Sequence, residues 1–144
     1  MNSRLTPTYL FLSGLLLLGI GGGILLVPHA FHGTNGIVLG ADPSLLSEVR
    51  APGGLLTASA ILILLGTFRR PLRSLAITLT VLVYGSFGFA RLLGLALDGI
   101  PATGLVASTA IELIVAALGL WILRRSEVTS ARSFQELAMA PVAR

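Results

Sequence analysis

Five charged residues lie in or beside long apolar stretches: Glu48, Arg50, Arg91, Asp98 and Glu112. Their formal charges sum to −1, from three carboxylates against two guanidiniums. Three kinds of chemistry suit such a set. Arg50 and Arg91 could hold an anionic headgroup or carboxylate while the acids orient them. Glu112 or Asp98 could act as a general acid or base on a lipid or small apolar molecule. The same groups could also form a buried ion-pair network that fixes how helices assemble and does nothing further. His29 and His32, three apart, could join Asp42 or Glu48 around a metal. Nothing else supports that, and the two histidines read as polar caps; no metal and no cofactor is expected. There is no cysteine, which excludes thiol nucleophiles, disulfides and zinc–thiolate sites. No phosphate loop, Ser-His-Asp set or His-Glu-x-x-His helix is present.

The elements that position these groups are set by composition. The 144 residues are 54% hydrophobic and 11% charged, with mean hydropathy +0.91. A soluble domain carries about 25% charged residues, so the chain reads as an integral membrane protein. A bilayer core about 30 Å thick needs about 20 apolar helical residues. Four stretches qualify, at about 8–27, 53–68, 74–95 and 101–123. They make one all-α, four-span membrane domain over 1–125, and residues 126–144 form a cytoplasmic tail. In that tail Ser133-Phe134-Gln135-Glu136 has a capping-box pattern that starts a brief surface helix. The first span is longer than a signal-peptide core and lacks a small-residue cleavage site, so it reads as an uncleaved helix.

All ten basic residues are arginine. Arg4, Arg69, Arg70, Arg73, Arg124 and Arg125 fall on one side of the four spans, which predicts both termini in the cytoplasm. That clustering accounts for the pI near 11.1 and removes the argument for nucleic acid. The outer connection, about 28–52, is long. Asp42 reads as an N-cap with Pro43 at the first helical position, opening a short helix through Val49. Gly19 and Gly23 form a small-xxx-small pair for close helix contact. Gly53-Gly54 after Pro52 suits a bend, or another backbone coming close to Arg50.

Counting along the helices places the charges in depth. Glu112 is 11 residues past Pro101, about 16 Å deep at about 1.5 Å per residue. Ser108, Thr109, Ala116 and Gly119 share its face, a small and partly polar stripe that packs inward. Thr80, Tyr84, Phe87, Gly88 and Arg91 form a matching face on the third span. With that span ending near Leu95, Arg91 sits about 10 Å from the depth of Glu112. The gap predicts contact through water, or an upward reach of Arg91 to Asp98.

The strings Pro28-His29-Ala30-Phe31-His32-Gly33, Ser47-Glu48-Val49-Arg50-Ala51-Pro52-Gly53-Gly54 and Arg91-Leu92-Leu93-Gly94-Leu95-Ala96-Leu97-Asp98-Gly99, with Glu112-Leu113, carry a likeness. Together they resemble a bacterial membrane family catalogued as domain of unknown function 4345, over roughly residues 8–125. The resemblance implies a small four-helix membrane protein and carries no activity. The residues that match its pattern are the same five charged ones. The general shape is also similar to small four-helix families such as the DoxX-like proteins, and shape alone does not transfer function.

The expectation is therefore a multi-pass protein of a bacterial inner membrane, binding or accessory rather than enzymatic. Its polar site comprises Glu48, Arg50, Arg91, Asp98 and Glu112, with His29, His32 and Tyr84 secondary. The expected partners are the bilayer, a lipid or small anionic ligand, and a homo-oligomer or larger membrane complex. A membrane enzyme and a structural subunit are the alternatives. Four helices of one chain leave little room for a pore.

Overall fold

The computed structural model describes residues 4–139, with the side chains of residues 4–125. Five α-helices follow one another: α1 (Leu5–Leu26), α2 (Pro28–Gly33), α3 (Pro43–Phe68), α4 (Arg73–Asp98) and α5 (Thr103–Met139). A 3₁₀ turn at Arg70–Leu72 joins α3 to α4. There is no strand among the described residues. Stretches within α1, α3, α4 and α5 are long and apolar enough to cross a membrane.

Helix ends follow local chemistry, and several differ from the sequence expectation. Pro28 cannot donate the next bond of α1, so the chain breaks at Val27 and restarts with Pro28 in the first turn of α2. Asp42 caps α3 through its Oδ1, which accepts from the Leu45 N–H at 2.8 Å. The helix it opens does not stop at Val49, however. It runs through Pro52 to Phe68, so the expected short outer helix is the first part of the second span. Proline removes one backbone bond but does not end a helix whose neighbours still pack against it. The short helix of the connection is instead α2.

The third span also extends further, to Asp98, and stops where Gly99 takes φ +96°. Only glycine adopts such a φ without steric cost, which suits it to the position after a helix end. The fourth span begins at Thr103, two residues later than expected, with Leu105 N–H bonded to the Ala102 carbonyl. The α5 backbone then continues unbroken to Met139, so no separate helix begins at Ser133. Whether Ser133 and Glu136 form a capping box lies outside the described side chains.

The helices run antiparallel in sequence order. On α1, Gly14 faces Ile63 and Leu64 of α3, Gly21 faces Leu56 and Thr57, and Ile24 and Leu25 face Gly53. Glycine at these points lets two backbones meet, as at close helix crossings in membranes. The expected Gly19/Gly23 pair is not that seam: Gly19 faces open space and Gly23 takes the ring of Phe31 from α2. The seam repeats every seven residues, from Gly14 to Gly21, which is two helical turns and one face.

α4 packs along α5, α3 along α4, and α1 also touches α4. The core holds Leu10, Leu17, Leu56, Ala60, Ile63, Ala76, Ile77, Tyr84 and Ala116. Two tyrosines tie distant helices together. Tyr84 Oη donates to the Ser13 carbonyl at 2.6 Å, and Tyr9 Oη donates to the Val115 carbonyl at 2.9 Å. Large apolar side chains such as Leu12, Leu55, Leu82 and Ile114 cover the outside, the inverse of a soluble surface and the expected dress of a bundle in lipid.

Candidate functional site

Glu112 is buried on the inner face of α5, with Thr109, Ala116 and Gly119 of the same stripe buried beside it. Its Oε1 accepts from Arg91 Nε at 3.2 Å, a direct ion pair. The expected gap of about 10 Å is corrected by the observed helix ends. Arg91 is seven residues from Asp98 and Glu112 nine from Thr103, which at about 1.5 Å per residue leaves an offset of only about 3 Å. Side chains also lean toward the N-terminus of their own helix. Because α4 and α5 are antiparallel, Arg91 and Glu112 therefore lean toward each other.

Gly88 completes the geometry. A Cβ there would stand 2.8 Å from Leu113 Cδ2 and 3.4 Å from Glu112 Cβ. The bare backbone lets α5 press in one turn from Arg91. The second carboxylate oxygen, Glu112 Oε2, is buried and has no hydrogen-bond partner among the described residues. Buried acceptors are normally satisfied, and leaving one unmet costs about 1–3 kcal/mol, more when charged.

The pair borders a cavity of about 440 Å³ between α1, α3, α4 and α5, roofed by α2 and the chain that follows it. Leu17, Ile20, Ile24, Leu56 and Val83 supply apolar walls, and Phe31, Tyr84 and Phe87 supply rings. His32, Asn35, Glu48, Arg91, Ser108 and Glu112 supply the polar lining. The cavity reaches the surface at exposed Glu48 and Ile37, the end of the bundle that holds the 34–42 connection. Its size lies within the roughly 300–1,000 Å³ of small-molecule sites, as does its mix of apolar wall and few polar groups.

The expected site residues divide. Glu48, Arg91 and Glu112 come together on the cavity, with Tyr84 and His32 beside them. Arg50 does not: its Nη1 donates to the Leu25 carbonyl in the last turn of α1. That carbonyl is one of the four that a helix end leaves without an intrahelical donor, and a cation is favoured there by the helix dipole. Gly53, three residues on, lets the same turn of α1 close in. Asp98 is exposed at the end of α4 and is absent from the lining, so Arg91 turns down to Glu112 rather than up to Asp98.

His29 is exposed, its Nε2 3.4 Å from the Gly40 carbonyl, while His32 Nδ1 lies 2.9 Å from the Pro28 carbonyl. No three His, Asp or Glu gather as metal ligands among the described residues. Two contributors went unforeseen. Asn35, in the connection after α2, lines the cavity and lies against Gly104 at the start of α5. Tyr9 sits in an apolar run with no spacing that announces its bond to Val115.

These features define an all-helical bundle of four membrane-length helices with a charged, partly apolar cavity at one end. The chain matches the family described as a domain of unknown function (DUF4345) over residues 5–123 and belongs to that family. No curated protein and no solved structure matches it.

Proposed function

We propose that this protein is a non-enzymatic binding protein of a bacterial inner membrane that takes a small amphipathic molecule into its cavity. The observation that carries the reading is the Arg91–Glu112 pair on the wall of a cavity of about 440 Å³. A purely structural pair is normally closed on itself. Here Arg91 is a third exposed, its Nη atoms have no partner among the described residues, and Glu112 Oε2 is unmet. Polar groups left over beside an apolar cavity suit a ligand with a polar head and an apolar body. The enzyme alternative has less support, since Asp98 stands outside the cavity lining and Glu112 is held in an ion pair with Arg91.

The arginines at the other end, Arg4, Arg69, Arg70, Arg124 and Arg125, are exposed. Their position supports both termini in the cytoplasm and the cavity mouth on the outer side. Lipid is the proposed partner of the apolar exterior.

Native mass spectrometry of the protein released from mild detergent tests the binding role, with Arg91→Ala beside the wild type. A defined small mass on the wild type, lost from a still-helical variant, is expected. A bare wild type together with an aggregated variant would contradict the reading and assign the pair to assembly alone.

A further inference from the structure

The charge and donor inventory of the cavity narrows the ligand, an inference that rests on the binding role above. Arg50 is spent on the Leu25 carbonyl and Asp98 lies outside. The charged lining is then Glu48, Arg91 and Glu112, a formal sum of −1. Within it, Arg91 and Glu112 neutralise each other, so the uncompensated charge is the carboxylate of Glu48.

The neutral polar lining adds acceptors. A carbonyl only accepts, so the 2.9 Å contact to the Pro28 oxygen requires the proton of neutral His32 to be on Nδ1. His32 Nε2 is left as a lone pair with no partner among the described residues. Glu112 Oε2 is a further unmet acceptor. Against these, the unengaged donors are the Nη groups of Arg91 and one N–H of Asn35 Nδ2, whose other N–H donates to Thr34 Oγ1. An anionic head would meet two carboxylates and one already paired guanidinium. A head that donates and carries positive charge would meet Glu48, the His32 lone pair and three aromatic rings, which attract cations through their faces.

We propose that the cavity selects an amphipathic amine, its protonated ammonium held among Glu48, His32 and Glu112 and its apolar chain lying toward Leu17 and Leu56.

The test is equilibrium binding of radiolabelled decylamine, decanol and decanoate to the protein in phosphatidylcholine nanodiscs, with protein-free nanodiscs subtracted. Chain length is matched, so only the head differs. Saturable binding of decylamine at least about tenfold tighter than decanoate is expected, the ratio of one charge-assisted hydrogen bond. Glu48→Gln, at an exposed position that does not hold the fold, should weaken decylamine about tenfold and leave decanol unchanged. Circular dichroism and gel filtration confirm that the variant is folded. Decanoate or decanol binding as tightly as decylamine overturns the amine assignment and leaves the binding role standing. Decylamine binding that Glu48→Gln does not weaken also overturns the assignment. No saturable binding of any of the three overturns both.

Discussion

Removing either partner of the Arg91–Glu112 pair should destabilise the bundle unequally. Arg91→Met leaves the Glu112 carboxylate with a side chain only 8% exposed and no cation within reach. Stranding a buried charge costs about 3–5 kcal/mol. Glu112→Leu instead leaves Arg91, whose side chain is 32% exposed and borders the cavity, where water can solvate it. That loss resembles a half-exposed pair and should cost about 1–2 kcal/mol. The double variant strands nothing and should fall within about 2 kcal/mol of the wild type, since apolar replacements of buried pairs are often neutral. The cycle should then return a coupling of about 2 kcal/mol or more. Reversible unfolding in mixed micelles, with SDS titrated into a mild detergent and helicity followed by circular dichroism, measures all four proteins. Equal losses in the two single variants, the reverse order, or simple additivity would refute the geometry argued for the pair.

Four further outcomes follow from particular positions. Gly21→Ala would drive a Cβ to 2.6 Å from the Thr57 backbone nitrogen and 2.9 Å from Leu56 Cβ, costing about 1–3 kcal/mol in the same unfolding assay. Gly22→Ala meets nothing within 4 Å and should be neutral or stabilising by up to about 1 kcal/mol. Asp42→Ala removes the cap on Leu45 N–H and should cost about 1 kcal/mol, with hydrogen exchange rising in the first turn of α3. Because the chain has no cysteine and Val38 is 94% exposed, Val38→Cys gives a single label site. A membrane-impermeant maleimide should modify it on intact spheroplasts if the connection is outside, and only after lysis if the topology is inverted.

Much of the architecture was legible because lipid and helix periodicity leave few choices. Apolar runs of bilayer length marked the four spans, and one polar residue per turn marked the inward faces of Tyr84 and Glu112. The errors came from helix ends. Reading α4 as stopping near Leu95, rather than at Gly99 where φ turns positive, moved Arg91 by about one turn and separated it from Glu112. Treating Pro52 as a boundary split α3 in two. The partner of Arg50 was illegible for another reason: it is a backbone carbonyl of α1, and a carbonyl has no signature in a sequence. The cavity was legible only as a set of charges. Its walls come from four helices and its roof from α2, so tertiary packing alone decides that Glu48 joins it and Asp98 does not.

A cavity open to water inside an otherwise lipid-facing bundle should show itself in cysteine accessibility. Ser108 lines the cavity, while Ile111, less than one turn away, is exposed on the outer surface of α5. A thiol reacts with a small water-soluble maleimide as its thiolate, which needs water around it. In the membrane, Ser108→Cys should be modified from the end that carries the 34–42 connection, and Ile111→Cys should not. Modification of Ile111→Cys with Ser108→Cys left inert would contradict both the cavity and the membrane placement.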